Sequence, residues 1–308
     1  MVERRPGVTP PRPRPPRRPP TPKSVVYRRR LVALAVLVAG LAIAWFVVAS
    51  VSSGGGGGTP KQTTAAVAAP KPFRIVFPEG FTRAQMAERV DAVGKIALRE
   101  RGKRVRISSR AYRAATSRPR REPGFGPRPL PLEGFLFPAT YNFVARTTSA
   151  QLAAQQLEAF RRNWAKLDLR YARSKNLTPY DVLIIASMVE KEAFAPEERQ
   201  LVSAVIFNRL HERMPLGIDA TLRYGFHIPP TESIRQSQID SDNLYNTRRL
   251  PGLPPTPIAS PGLASLQAAA HPSQVHYLYF VRKPDKKHHF FTASLAEFDR
   301  YKAAHGYP

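Results

Sequence analysis

The sequence of 308 residues contains no cysteine. This absence excludes a disulfide framework, a thiolate nucleophile and a metal site built on thiolates. The pair His288 and His289 has no further ligand at suitable spacing, so no metal site of another kind is predicted. Acidic residues are also scarce, because 22 Asp and Glu face 48 Lys and Arg and leave a formal net charge of +26.

The positive charge is spread along the chain. The first 30 residues account for a surplus of nine positive charges, and the remaining 278 residues hold the other 17. An anionic partner is therefore expected, either nucleic acid or an anionic polymer of the cell envelope.

One long segment carries no charged or strongly polar side chain, namely LVALAVLVAGLAIAWFVVA at residues 31–49. A helix of that length spans roughly 30 Å, which matches the hydrocarbon core of a bilayer. The segment predicts a single transmembrane helix over residues 31–51. A core helix is the first alternative, but it would normally show a polar face. A cleaved signal peptide is the second, but its apolar stretch is usually only about 7–15 residues.

The segments that flank this helix predict how the chain is oriented. Residues 1–30 are rich in proline and arginine and end in three consecutive arginines, which is typical of a disordered basic tail. Positive charge beside a transmembrane helix favours the cytoplasmic side, so the rest of the chain is expected outside the cell membrane. Nucleic acid is then not an expected partner. Residues 52–72, rich in Gly, Ser, Ala and Pro, predict a flexible linker.

The remaining sequence predicts an α+β fold in two parts. Residues 73–131 are expected to form a small module, and residues 132–308 a mixed α+β catalytic domain with a buried helix. Hydrophobic spacing and capping residues define the elements. The predicted helices cover residues 82–90, 108–115, 150–166, 181–193, 197–213 and 263–270 and a last stretch from Ser294, and the predicted strands cover residues 73–77, 276–281 and 288–292.

Glu190 is the most informative polar position. The helix that begins after the capping box at Thr178 is apolar on nearly every side through Val189, so it must be buried. A carboxyl group near the end of such a helix is expensive to ionise, and desolvation raises its pKa as a general acid requires. The alternative is that Glu190 and Lys191 mark the point where the helix reaches the surface.

Two further segments carry candidate binding residues. Asp219, Thr221 and Tyr224 are predicted on a loop after the second apolar helix, where polar residues often bind ligands, although Asp219 alone is equally suited to cap a turn. The second segment, 244–262, is rich in Pro and Gly. It predicts an extended loop that forms one wall of a sugar-binding groove or serves as inert scaffolding, and its displayed residues are Tyr245, Asn246 and Thr247.

Five blocks of sequence occur in one order and are densest from Leu132 onward. They are LEGFLFPATY (132–141), ASMVEKEA (186–193), AVIFNRL with GIDATLRYG (204–225), YNT with GLPPTPIASPG (245–262), and LQAAAHP (266–272) followed by YLYFV and HHFFT. Taken together, these blocks resemble the endolytic murein transglycosylases, the MltG or YceG-like family.

The resemblance implies a single-pass membrane protein with a LysM-like module at residues 73–131 and a transglycosylase domain at residues 132–308. It implies cleavage within nascent peptidoglycan strands, 1,6-anhydro-N-acetylmuramic acid ends and no cofactor. Glycan strands and the membrane are the implied partners, and peptidoglycan synthases are further candidates. Glu190 matches the catalytic glutamate that the resemblance implies, at the first Glu of the VEKE segment. The residues implied to bind substrate are Glu133, Asp219, Thr221, Tyr245 and Asn246.

The sequence departs from the family pattern at Ala139, Ala220, Arg248 and Thr256, where Asp, Pro, Tyr and Gly are usual. Two alternatives to a lytic transglycosylase follow from the residues. A hydrolytic muramidase would need a second carboxylate, which Asp219 or Glu192 would supply. A non-catalytic wall-binding scaffold would need no acid at all, so the presence of Glu190 disfavours it.

Overall fold

The computed structural model describes residues 71–307 of the chain. In chain order the elements are β1 (Phe73–Val76), α1 (Arg83–Arg101), α2 (Ser109–Ser117), β2 (Thr140–Phe143), α3 (Ser149–Trp164), α4 (Arg170–Ser174), α5 (Pro179–Glu192), a 3₁₀ turn (Pro196–Glu198), α6 (Arg199–His211), α7 (Asp219–Gly225), α8 (Gln236–Ile239), α9 (Leu263–Ala270), β3 (Tyr279–Arg282), β4 (His289–Thr292) and α10 (Leu295–Ala304). The described part of the chain is therefore α+β, as predicted.

The first elements form a β-α-α-β unit in which β1 and β2 pair antiparallel. Alternate residues of both strands are buried, so one face of this small sheet belongs to the core. Helix α1 begins at a capping box on Thr82, where side chain and backbone exchange hydrogen bonds with Gln85. Tyr112 of α2 is fully buried and donates a hydrogen bond of 2.5 Å to Gln156 of α3. This bond ties the unit to the following domain.

The strand pairing crosses the predicted boundary between residues 131 and 132, because β1 precedes that boundary and β2 follows it. Residues 71–307 pack as one unit. The segment between α2 and this boundary is also anchored, since the buried carboxylate of Glu122 accepts hydrogen bonds from both Nε and Nη2 of Arg161 on α3. The LysM-like character of residues 73–131 stays a prediction.

Helix α5 runs through the middle of the second part of the chain, residues 132–307. It begins at the predicted capping box, in which Thr178 and Asp181 bond to each other, with proline at the first helical position. Every residue from Val182 to Val189 is buried, which confirms that the helix lies in the core. Its sides pack against α9 and α6. This buried helix therefore holds Glu190 and Glu192, the two glutamates of its last turn, on a rigid support.

Several elements differ from the sequence-based predictions. Helix α1 extends eleven residues beyond the predicted end, to Arg101, since Gly102 in a left-handed conformation ends it. The segment predicted as a loop around Asp219 forms α7, and Asp219 is the first residue of that helix. Helix α8 was not predicted. Strand β2 was not predicted, because its four residues alternate in burial over too short a run to stand out from the flanking loops.

Among residues 71–307, no helix combines the length and the apolar character needed to cross a bilayer. The predicted basic tail (1–30), the transmembrane helix (31–51) and nearly all of the linker (52–72) lie outside the described residues. Their assignments stay predictions.

Candidate active site

Glu190 and Glu192 leave opposite sides of α5, because two residues advance a helix by about 200°. The carboxylate of Glu190 accepts a hydrogen bond of 3.0 Å from the backbone N–H of Gly262. Gly262 caps the N-terminus of α9. Glu190 is half-buried, so the helix reaches the protein surface here while the carboxyl group stays partly covered.

Glu79 of the N-terminal unit lies beside Glu190 and keeps an exposed side chain. Partial burial and the negative charge of Glu190 raise the pKa of the Glu79 carboxyl, whereas the positive charge of Arg199 lowers it. The turn that carries Glu79 also covers the stem of Glu190, because a Cβ added to Gly80 would lie 3.6 Å from Cγ of Glu190. The carboxyl groups of Glu79 and Glu190 are therefore neighbours on this side of the end of α5.

Glu192 lies on the other side, beside the start of α7. Burial raises the pKa of its carboxyl group to about 7, and the negative charge of Asp219 adds to the increase. The cation Arg282 and the backbone N–H of Ala220 act in the opposite direction. The side chain is half-buried. A carboxyl group with this pKa is able to give and take a proton near neutral pH.

Glu133 is a further acid with an altered pKa. Its Oε1 accepts the backbone N–H of Arg83 at 2.9 Å, and its Oε2 accepts the hydroxyl of Tyr224 at 3.1 Å. Burial raises the pKa of the Glu133 carboxyl to about 7, although both hydrogen bonds oppose this increase. The next residue, Gly134, has φ +85° and lies against Pro257, so a side chain there would be strained and would clash. With only 6% of its surface exposed, Glu133 is enclosed.

Helix α7 connects Glu133 to the side of α5 that carries Glu192. Its first residue, Asp219, acts on Glu192, and its residue Tyr224 donates a hydrogen bond to Glu133. The start of α1 connects Glu133 to the other side, because Arg83 follows the turn that covers Glu190. The acids of the site are thus held by elements from both parts of the described chain.

Two of the predicted binding residues lie at this site with solvent access. Asp219 is half-exposed and forms an ion pair with Arg248 at 2.6 Å. Tyr245 is half-buried, its ring centre lies 5.1 Å from that of Tyr224, and its hydroxyl bonds Thr256 at 2.8 Å. Aromatic rings and paired charges of this kind are able to contact a sugar.

Like Glu133, two other predicted binding residues are enclosed. Thr221 is fully buried and bonds the hydroxyl of Thr247 and a backbone carbonyl oxygen. Asn246 is fully buried and donates to two backbone carbonyl oxygens at 2.8 and 2.7 Å. Side chains whose polar atoms are used in this way hold the loops in place. Both side chains are buried, which corrects their predicted display on an exposed loop, and their role in substrate binding stays a prediction.

Two features of the site were not predicted from the sequence. Glu192 was considered only as the second carboxylate of a muramidase, although burial and Asp219 raise its own pKa. Glu79 was not a candidate at all, although the charge of Glu190 acts on it. Neither environment is visible in the sequence, since each depends on residues distant along the chain.

The adjacent histidines face different surroundings. His289 is buried and bonds Glu198 at 2.7 Å, whereas the half-exposed His288 bonds Asp285 at 2.8 Å and Glu197 at 3.3 Å. These contacts pin β4 to the 3₁₀ turn that follows α5. Within residues 71–307, no three His, Cys, Asp or Glu side chains are grouped so that they could hold a metal ion.

Comparison with known proteins assigns the chain to a family. The model of the YceG-like family matches residues 56–304, which is most of the sequence. The chain belongs to the YceG-like family. A crystal structure of a YceG-like protein from Listeria monocytogenes superposes with a TM-score of 0.61 at 26% identity and covers 74% of this chain and 76% of that one.

Curated relatives bear the name endolytic murein transglycosylase. The chain is 33% identical over 174 residues to the protein of Bacillus subtilis (strain 168), a match that covers 56% of this chain and 47% of the relative. It is 36% identical over 182 residues to that of Streptococcus pneumoniae (strain ATCC BAA-255 / R6), with 56% of this chain and 32% of the relative covered. The chain thus spans less than half the length of these relatives.

Proposed function

We propose that this protein is a membrane-anchored endolytic lytic transglycosylase of peptidoglycan, with Glu190 as its acid. It would cleave nascent glycan strands, leave 1,6-anhydro-N-acetylmuramic acid ends and so terminate strand elongation. The names of the relatives support the substrate and the reaction class. The observation that carries the proposal is the half-buried carboxyl of Glu190, held by the N–H of Gly262 at the end of a buried helix.

The reaction needs one carboxyl group and no water. Protonated Glu190 gives its proton to the glycosidic oxygen as the bond from C1 of the muramic acid breaks. The carboxylate then takes the proton of the 6-hydroxyl of the same sugar, and the 6-oxygen closes on C1. The nucleophile is part of the substrate, so proximity supplies much of what a second carboxylate does in hydrolases. These steps require neither metal nor cofactor.

The surroundings of Glu190 suit the second half of this reaction. The N–H of Gly262 stabilises the carboxylate that is left after the proton is given away. The carboxylate of Glu190 is therefore available as the base of that half.

Glu192 is a second candidate for the acid, because its half-buried carboxyl has a pKa of about 7. Its side of α5 faces Asp219, which is half-exposed. The VEKE segment nevertheless resembles the family at its first glutamate, and this favours Glu190. The turnover rates of the Glu190→Gln and Glu192→Gln variants separate the two candidates.

A hydrolytic muramidase is the alternative reaction, because Glu192 and Asp219 lie close enough to influence each other. In a hydrolase Asp219 would act as nucleophile or as base toward water. The tight ion pair between Asp219 and Arg248 favours a fixed electrostatic role instead.

Product mass separates the two reactions. The full-length protein in detergent is incubated with purified glycan strands, and the new ends are weighed. The lytic reaction gives ends that are one water lighter than hydrolysed ends. Asp219→Asn should lower the rate and still give anhydro ends. Hydrolysed ends from the wild-type protein would contradict the proposed reaction, and an Asp219→Asn variant without any activity would favour the muramidase.

The expected location is the cell membrane, with residues 1–30 in the cytoplasm and the catalytic domain outside. The apolar segment 31–49 and the arginines before it support this arrangement. Reporter fusions after residues 30 and 70 should report opposite sides, and the whole chain should sediment with membranes. A soluble mature form that begins near Ser50 would contradict the anchor.

Glycan strands and the membrane are the proposed partners, and synthases that make the strands are further candidates. The positive charge beyond residue 30 is suited to anionic wall polymers rather than nucleic acid, given the proposed topology. Binding to isolated cell walls should then weaken as salt rises, because exposed charges are screened over roughly 10 Å at 0.1 M salt. If binding does not change with salt concentration, contacts in the predicted sugar-binding groove, rather than charge, hold the protein to the wall.

A further inference from the structure

The positive charge of the described chain is concentrated in the N-terminal β-α-α-β unit. Residues 71–131 contain 16 Lys and Arg against five Asp and Glu, whereas residues 132–308 contain 21 against 16. The densest stretch is the end of α1 together with the loop that leads to α2. Six exposed cations of this stretch form the basic end of the unit, and they are Arg99, Arg101, Lys103, Arg104, Arg106 and Arg110.

Most cations of the basic end have no acidic partner. Arg99 lies 3.6 Å from the carboxylate of Glu100, in a pair that is exposed to solvent. Within residues 71–307, none of the other five cations forms an ion pair with a carboxylate. The nearby Asp91 instead accepts the backbone N–H of Ser109 at 2.7 Å. Unpaired charges of one sign raise the local positive potential, which attracts an anionic partner.

A groove beside the basic end extends the positive surface. Its volume is about 920 Å³, and Arg106, Arg146 and Arg162 are among its lining residues. Arg162 pairs with Glu158 at 3.4 Å, whereas neither Arg106 nor Arg146 has an ion pair in the part of the chain that the structure describes. The backbone N–H of Arg106 donates to the carbonyl oxygen of Ala145 at 3.0 Å. Positive charge therefore continues from the loop to the residues that follow β2.

The basic end also lies where the chain enters the unit. Nη1 of Arg101 donates to the carbonyl oxygen of Pro72 at 3.1 Å, and its guanidinium lies over the ring of Phe73 at 4.7 Å. Pro72 is the last residue of the predicted linker 52–72, which follows the predicted transmembrane helix. A flexible chain of that length spans roughly 25 Å on average. Such a tether would keep the basic end within reach of the membrane surface.

Two large aliphatic side chains are exposed close to these cations. Ile96 has 38% and Leu98 has 47% of its surface exposed, and both lie in the last two turns of α1. Exposed aliphatic groups among cations are typical of surfaces that bind membranes. The cations meet the headgroups, and the aliphatic groups enter the boundary between headgroups and acyl chains. A wall polymer offers no such apolar layer, so Ile96 and Leu98 favour the membrane as the partner.

We propose that the basic end docks on anionic phospholipid headgroups of the membrane that holds the predicted anchor. The docking requires the membrane anchor of the proposed function but not its reaction. A short tether raises the local concentration of the surface into the millimolar range, so a weak contact is sufficient. The active-site acids stay uncovered, because Arg83 at the other end of α1 bonds Glu133 and the helix of 19 residues is roughly 28 Å long.

The first test uses the full-length protein in lipid vesicles. The chain has no cysteine, so Ala92→Cys at an exposed position of α1 carries a single donor dye within roughly 15 Å of the basic end. The acceptor dye is on headgroups of both leaflets. Energy transfer should be about twofold higher with about 30% phosphatidylglycerol than in pure phosphatidylcholine. About 0.5 M salt should abolish this gain, because the Debye length falls to about 4 Å.

Two charge-reversed proteins locate the surface. Arg104→Glu with Arg106→Glu should show the same energy transfer in anionic and neutral vesicles. Lys286→Glu with Lys287→Glu makes the same change in net charge on the exposed turn between β3 and β4, and it should keep the gain. Turnover of purified glycan strands in detergent should stay within about twofold of the wild type for Arg104→Glu with Arg106→Glu, because the basic end is remote from the acids.

Leu98→Asn tests the aliphatic part of the surface without a change in charge. The gain in anionic vesicles should be roughly halved, because the apolar contact with the headgroup boundary is lost. A gain of the wild-type size in this variant would show that the basic end attracts anions without entering a membrane surface, which contradicts the docking.

Two further results would overturn the proposal. The first is equal energy transfer of the wild type in neutral and anionic vesicles. If reversal at Arg104 and Arg106 then weakens binding to isolated cell walls, the basic end binds anionic wall polymer instead. The second is a gain that survives this reversal, since another surface then contacts the lipid. Flotation with neutral vesicles tests the anchor separately, and a chain that does not float with them should still bind anionic vesicles through the basic end.

Discussion

The two sides of the last turn of α5 carry glutamates two residues apart, and each glutamate has a different carboxyl neighbour. Glu190 bonds Gly262 and lies beside Glu79, which the N-terminal unit supplies. Glu192 lies beside Asp219 of α7, and burial raises its pKa to about 7. The helix alone would offer two similar acids. The comparison shows that the elements packed on either side make them different.

The largest expected effect separates these two glutamates directly. Glu190→Gln keeps the shape of the side chain but removes the transferable proton, and we expect kcat to fall about 10²–10⁴-fold. Glu192→Gln should reduce kcat about tenfold at most, because it changes only the charge near α7. Turnover of purified glycan strands measures both. If Glu192→Gln lowers kcat more than Glu190→Gln does, Glu192 is the acid.

The second expected effect concerns the enclosed acid Glu133. Its pKa is about 7 in the folded protein against 4.5 for an ordinary glutamate, so the folded form holds the proton more tightly. The free energy of unfolding should therefore decrease as pH rises from about 4.5 to 7, by on the order of 3 kcal/mol from this group. Glu133→Gln resembles the protonated acid and should lose this dependence. Glu192 titrates in both proteins, so the difference between denaturation curves isolates Glu133.

The free energy of unfolding of Glu133→Gln, relative to that of the wild type, should increase steadily between pH 4.5 and 7 and remain constant above pH 8. A constant difference across the whole range would show that Glu133 is not protonated in the folded state at neutral pH.

A third expected effect tests whether Asn246 binds glycan or supports its loop. Asn246→Ala removes two buried hydrogen bonds and leaves two carbonyl oxygens unsatisfied, so the free energy of unfolding should fall by about 2 kcal/mol. Gln155→Ala, at an exposed position on α3, serves as the control and should change stability little. If KM for glycan rises while the free energy of unfolding is unchanged, Asn246 binds the glycan directly.

The smallest expected effect is a shift in the titration of Glu192. Carbon-13 NMR of labelled glutamate side chains should show two carboxyls that titrate near pH 7, those of Glu133 and Glu192, and the signal of Glu192 is the one that disappears in Glu192→Gln. Asp219 raises the pKa of Glu192, so Asp219→Asn should move this titration to lower pH. The pH profile of kcat/KM should not move with it if Glu190 is the acid. A profile that shifts together with the titration would assign the acid to Glu192.

The sequence by itself determined the family, the α+β class and the buried helix, because these depend on local signals. The capping box at Thr178 and the apolar run to Val189 specify where α5 begins and that it is buried, and the five ordered blocks specify the family. Helix α9 lies where its composition predicts. The resemblance selects Glu190 as the candidate acid, but no local signal distinguishes its surroundings from those of Glu192.

Only the tertiary structure decided which environment each acid receives. The pKa of Glu192 depends on Asp219, 27 positions later, and the contact of Glu79 with Gly262 joins residues 183 positions apart. The same holds for Asn246, which looks like a displayed polar residue in the sequence and is fully buried in the fold. Desolvation and charge–charge interaction depend on distance in space, whereas capping and hydrophobic period depend on distance along the chain.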